Sequence, residues 1–224
     1  MGNFYNQIKN IVLKLPTINN IIILGKGDSL SKVNKEALKK SFIININDAE
    51  RFYAGHIGIF YSNWAYESIR KNNFKNDLYL TSIDILEDCN WTKVEYKPET
   101  HEIGENSLSK INDNNFHLTN FLIIPAIKIA NFISNILKRK IDVYMLGFDF
   151  HAKSSSDVED FSRHGKDFKN IILKNQKEYF RKIKNELDSK NKSIKLHHVG
   201  LFNFSSITVD RFNSKFVDLS LIHI

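Results

Sequence analysis

Residues 21–30 read Ile-Ile-Ile-Leu-Gly-Lys-Gly-Asp-Ser-Leu. An uninterrupted apolar run of that kind suits a strand buried on both faces, and here it feeds straight into a glycine turn. A helix is expected next, over Lys32–Lys40. Strand, Gly-x-Gly turn and helix, in that order, let α/β folds offer backbone N–H groups and a positive helix end to an anion. Leu30 stands where the dinucleotide fingerprint has its third glycine, and the Gly-Lys-Ser/Thr that closes a P-loop is absent. The pattern therefore points to a nucleotide site of a third kind, or to a tight strand–helix connection with no ligand.

The rest of the chain repeats the alternation. Strands are expected at Ile21–Leu24, Phe42–Ile46, Ile57–Tyr61, Leu78–Thr81, Val143–Leu146 and Ile194–Val199. Helices are expected at Lys32–Lys40, Trp64–Lys71, Pro125–Lys138 and Asp167–Asp188, the last with apolar residues near helical spacing. Strand–helix alternation predicts a single Rossmann-like α/β domain over residues 1–224, with a mostly parallel sheet and helices on both faces. The polar stretch 151–166, directly after a strand, is expected to act as a mobile lid. Phe4–Leu15 suits a short amphipathic helix, packed on the core or, alternatively, in peripheral contact with a membrane.

The net charge of +7 favours an anionic ligand or surface, although much of the lysine suits solvated helix faces. Cys89 is the one cysteine, so no internal disulfide can form, and a reducing cytoplasm is expected. The apolar run Phe121–Leu137 is broken by Pro125, Lys128, Asn131 and Ser134, which predicts a buried helix rather than a membrane span. No signal peptide is expected from Ile11-Val12-Leu13, which is too short.

In parallel sheets, ligands bind beyond the carboxyl ends of the strands. Four strands here end in groups suited to a nucleotide: Gly25, Lys26, Gly27 and Ser29; Asn47 and Asp48; Ser62 and Asn63; and Gly147, Phe148, Asp149, Phe150 and His151. The competing reading is that Asn47, Asp48 and Asn63 only cap the helices that follow. Among eight histidines, His197 and His198 are adjacent in a strand and face opposite ways. His151 and His164 differ, since both fall in the lid segment, and a neutral imidazole there could take a proton from a hydroxyl nucleophile. No zinc-type spacing and no Asp-x-Asp pair occur, so no metal site and no cofactor are expected. A departing phosphate would then be stabilised by cations, for which Lys26, His151, Arg163 and Lys166 are available.

The order of these motifs resembles that of the bacterial sialyltransferases of glycosyltransferase family 42. Gly25-Lys26-Gly27-Asp28-Ser29-Leu30 is similar to their donor loop, with Lys26 in place of an asparagine and Asp28 in place of a proline. Asn47 resembles a nucleotide-binding asparagine, and Phe60-Tyr61-Ser62-Asn63 a Phe-Tyr-Asn segment. Gly147-Phe148-Asp149-Phe150 resembles a Gly-Ile-Asp-Phe segment that lines the ribose and phosphate, with His151 in the place of a tyrosine that contacts the leaving phosphate. Thr119 and Asn120 fall near a pair that touches the donor sugar, and His164 falls where the family has its general base. The resemblance implies inverting, metal-independent transfer of a nonulosonic acid from a CMP-activated sugar to a glycan acceptor. A CMP-activated 3-deoxy-octulosonate is a further donor to consider.

Two other classes compete. Gly-x-Gly-x-Ser-Leu loops also occur in proteins resembling pterin diphosphokinases, which use a nucleoside triphosphate with magnesium. A basic nucleic-acid-binding module would also fit the charge, but the 17 Phe and 8 Tyr alternate with aliphatics in core-like runs, with no interleaved cation–aromatic patch. Nucleic acid is therefore not expected as a partner.

Overall fold

The computed structural model describes residues 3–98, 107–113, 115–151, 166–190 and 193–217. Residues 152–165 of the lid segment, Arg163 and His164 among them, lie outside the described residues.

Among the described residues, the strands are β1 (Asn20–Leu24), β2 (Phe42–Ile46), β3 (Ile57–Phe60), β4 (Leu78–Thr81), β5 (Trp91–Lys93), β6 (Ile141–Leu146) and β7 (Ile194–His198). They form one sheet in the order β5-β4-β3-β2-β1-β6-β7. Every neighbouring pair is parallel. The sheet is thus wholly parallel, and β1 pairs with both β2 and β6, so the chain reverses its direction of travel across the sheet at that point. The expected α/β class is what the structure shows. β1 to β4 are buried along their whole lengths, which explains why largely apolar runs marked them.

Helices cover both faces. On one lie α1 (Asn3–Lys14), α3 (Ser107–Asn112), α4 (Ile123–Leu137) and α5 (Lys166–Lys190), around a core that includes Ile21, Ile23, Ile44 and Ile59. On the other lie α2 (Asn63–Lys71) and α6 (Val209–Phe216). α1 buries Phe4, Ile8 and Val12, spaced one turn apart, in the larger core, so its apolar stripe is spent on packing. α4 takes Pro125 in its first turn, where the missing N–H costs nothing, and ends at Lys138 in the left-handed conformation (φ 51°). No helix among the described residues is long and apolar enough to cross a membrane.

One expected element is corrected. Lys32–Lys40 is not an α-helix but lies across two 3-10 turns, Asp28–Lys32 and Lys35–Leu38. Asn213 of α6 explains the break. Its side chain accepts from the Asn34 N–H (2.9 Å) and donates to the Lys32 carbonyl (2.9 Å). Both backbone groups are thereby engaged from outside, Val33 and Asn34 stay extended, and the Asn34 side chain starts a new turn by accepting from the Glu36 N–H.

Candidate functional site

A cleft of about 270 Å³ opens at the carboxyl ends of β1, β2, β3 and β6, where the sheet order reverses. This is the place at which open α/β sheets bind ligands. Of the residues singled out in the sequence, Gly25, Lys26, Gly27, Asn47, Ser62, Asn120, Gly147, Phe148, Asp149, Phe150 and His151 line it. Ser29, Asn63 and Thr119 do not line it. Thr119 is 1% exposed, and its hydroxyl turns inward to the backbone of Phe121.

The glycine turn has a different local role from an anion cradle. The Gly25 N–H donates to the Leu146 carbonyl (2.8 Å) and the Gly27 N–H to the Gly147 carbonyl (2.7 Å). The Ser29 N–H donates to Asp149 Oδ2 (2.7 Å), and the Leu30 N–H to the Gly27 carbonyl (3.1 Å). These donors are spent inside the protein. The glycines are needed because the β1 and β6 loops touch: a Cβ on Gly25 would meet the Gly147 carbonyl oxygen at 2.5 Å. Nor does a long helix follow to supply a dipole, since both 3-10 turns are too short.

The capping reading of the strand ends also gives way. Asn47 sits in left-handed backbone (φ 55°) ahead of the turn. Asp48 precedes the 3-10 turn Ala49–Arg51 but makes no side-chain capping bond there. Its buried carboxylate instead pairs with Lys26 (Nζ to Oδ1, 3.0 Å) and accepts from the Ser68 hydroxyl (2.8 Å). The Lys26 ammonium also lies 4.1 Å from the centre of the Trp64 ring, in cation–π contact. Ser62 precedes α2 without capping it. The hydroxyls of Ser29 and Ser62 are buried with no hydrogen-bond partner among the described residues, and that of Ser62 belongs to a residue of the cleft wall.

Several contributors were not foreseen. Trp64 enters from α2, and Ile172, Leu173 and Gln176 from α5. Their spacing of one helical turn was visible in the sequence, but nothing local said which site that face would meet. His198 was likewise passed over. It is fully buried, with Nε2 donating to the Phe148 carbonyl (2.9 Å) and Nδ1 accepting from the Ser205 hydroxyl (2.9 Å), so it fixes a wall residue from behind. Burial holds its pKa below the usual histidine value, against an opposing pull from the Phe148 carbonyl and Asp149. Phe150, next along the wall, is also in left-handed backbone (φ 51°) and stacks on the His198 ring. Among the described residues, no three His, Cys, Asp or Glu side chains gather as a metal ion would require.

No protein-family model matches this chain, and no curated protein matches it. Solved structures do. One is the sialyltransferase CST-II in complex with a trisaccharide acceptor and CMP, at 14% identity over 80% of each chain, TM-score 0.40. Another is the sialyltransferase CstII from Campylobacter jejuni in complex with a substrate analogue, cytidine-5'-monophosphate. It is 13% identical over 80% of this chain and 79% of that one, TM-score 0.44.

Proposed function

We propose that this protein is a glycosyltransferase that moves a nonulosonic acid from its CMP donor to a sugar hydroxyl of a surface glycan, with inversion and without a metal. One observation carries the reading. Segments from four separate strand ends, which resemble the donor-binding motifs of family 42 sialyltransferases, line a single cleft at the sheet's switch point. The unpartnered Ser62 hydroxyl, the Asp149 carboxylate and the Lys26 ammonium are groups suited to ribose hydroxyls and a phosphate.

In this reading, His164 takes the proton from the acceptor hydroxyl as its oxygen attacks the anomeric carbon. The bond from that carbon to the phosphate oxygen breaks, and CMP leaves with the electron pair. The role of His164 rests on the resemblance, and that of His151, exposed on the cleft wall, is to steady the departing charge. His164→Ala should lower turnover about 10²–10⁴-fold while leaving CMP affinity intact.

The deciding experiment compares thermal stability with CMP in EDTA and with ATP plus magnesium. At about 100 times the dissociation constant, a ligand adds roughly 2.7 kcal/mol. Stabilisation by CMP in EDTA, followed by CMP release from activated nonulosonic acids in the presence of an acceptor, is the expected result. Stabilisation by ATP with magnesium alone would refute it and favour the diphosphokinase-like alternative.

A further inference from the structure

Lys26 is the one lysine or arginine among the described residues that lines the cleft. The backbone N–H groups of Gly25, Gly27 and Ser29 are already engaged, so in this part of the cleft the Lys26 ammonium is the charge on offer to an anion. Yet the Lys26 side chain is 6% exposed and its ammonium is held by Asp48, itself fully buried and behind the wall. The resembled family has asparagine at the position of Lys26, so the pair belongs to this chain.

We propose that Lys26 and Asp48 form an exchangeable ion pair, in which the phosphate of the bound nucleotide takes the ammonium from Asp48. Asp48 is then a built-in competitor that loosens the hold on the phosphate and so speeds departure of the nucleotide product. The proposal rests on the reading that CMP occupies the cleft. Three features make the exchange feasible. Lysine carries three donors on a flexible stem, so its head can turn from one anion to another. Trp64, which also lines the cleft, offers its ring face to the ammonium and keeps it near the ligand after it leaves the carboxylate. Asp48, once released, keeps its bond from the Ser68 hydroxyl, which in turn accepts from Arg51 Nη1 (3.1 Å).

The test is to measure the affinities of CMP and of cytidine, which lacks the phosphate, by titration calorimetry. Asp48→Asn keeps the shape of the side chain and its partner Ser68 but removes the competing charge. It should bind CMP about tenfold more tightly, or about 1.4 kcal/mol, with cytidine affinity unchanged. Lys26→Met should erase the advantage of CMP over cytidine. Should the lone lysine or aspartate unfold a single variant, the double variant Lys26→Met/Asp48→Leu replaces the buried pair with apolar groups, an exchange that proteins often tolerate. It too should bind the two ligands alike. An Asp48→Asn protein whose preference for CMP over cytidine is unchanged or lower overturns the exchange, as does a CMP advantage that survives loss of Lys26. If the wild-type protein binds neither ligand, the CMP reading itself fails, and the exchange with it.

Discussion

Gly27→Ala separates two roles for the glycine turn. The residue has φ −64° and ψ 156°, an extended conformation open to alanine, so any cost comes from contact rather than from backbone strain. The added methyl would lie 2.3 Å from Asp149 Oδ2, 2.7 Å from its Cγ and 2.8 Å from the Gly147 carbonyl oxygen. The Gly147 oxygen cannot retreat without loss, because it accepts the Gly27 N–H. The carboxylate must therefore move, and it gives up the bond from the Ser29 N–H across 120 residues of sequence. A hydrogen bond to a charged group contributes about 1.5–3 kcal/mol, and overpacking a tight site costs about 1–3 kcal/mol. The two are not additive, since moving the carboxylate relieves the crowding, and a loss of roughly 2–4 kcal/mol is expected. For a chain of this size, that lowers Tm by roughly 5–15 °C. The assay is thermal or urea unfolding of the ligand-free protein. If the turn existed only to cradle a phosphate, alanine would leave ligand-free stability as it was and weaken nucleotide binding alone. Ligand-free stability within about 0.5 kcal/mol of wild type would refute the loop-contact argument.

The remaining expectations concern stability. Burial holds His56, His197 and His198 below the ordinary histidine value of 6.5, so the unfolded chain binds more protons beneath that pH. Their contribution is complete above about pH 6.5 and is lost as pH falls below it. Glu50, raised by burial, pulls the other way, but three histidines stand against one carboxyl, and a urea midpoint lower at pH 5.5 than at 7.5 is expected; a higher one would refute the balance. Lys128 is 7% exposed on α4, bonds the Asn115 carbonyl, and has its pKa pulled down by burial. Lys128→Met should raise Tm by a few degrees, on the scale of about 2–4 °C per kcal/mol; a fall would show that the bond to the Asn115 carbonyl outweighs the cost of burying the ammonium. Asn213→Ala should cost about 0.5–1.5 kcal/mol, since the freed Lys32 carbonyl and Asn34 N–H are exposed and turn to water, and calorimetry on the variant checks it.

The strands that the sequence marked well are those buried on both faces, since they are apolar almost throughout, Asn45 in β2 being the internal exception. Phe42–Ile46 and Leu78–Thr81 are found with the bounds expected for them. β5 escaped notice because it is a three-residue strand at the sheet edge, with Trp91 and Thr92 half-buried and Lys93 exposed, so no apolar run announces it. Lys32–Lys40 carries good helix formers, but Asn213, 179 residues from Asn34, takes the backbone groups a helix would need. Local propensity loses there to a contact that no window of sequence contains.

The same limit applies at the cleft. In a parallel sheet ligands lie beyond the carboxyl ends of the strands, so the residue types at those ends can be read as a group from the sequence alone. What sequence spacing does not encode is which of those groups are spent on one another. Lys26 reads as a free cation and Asp48 as a cap until β1 and β2 are laid side by side, whereupon each becomes the other's partner. Asp149 reads as a ligand contact alone until the β6 loop folds onto the glycine turn and one of its carboxylate oxygens takes the Ser29 N–H. A charge that is already paired binds a ligand only by exchange, so the chemistry of this cleft depends on the difference between two ion pairs rather than on the strength of one.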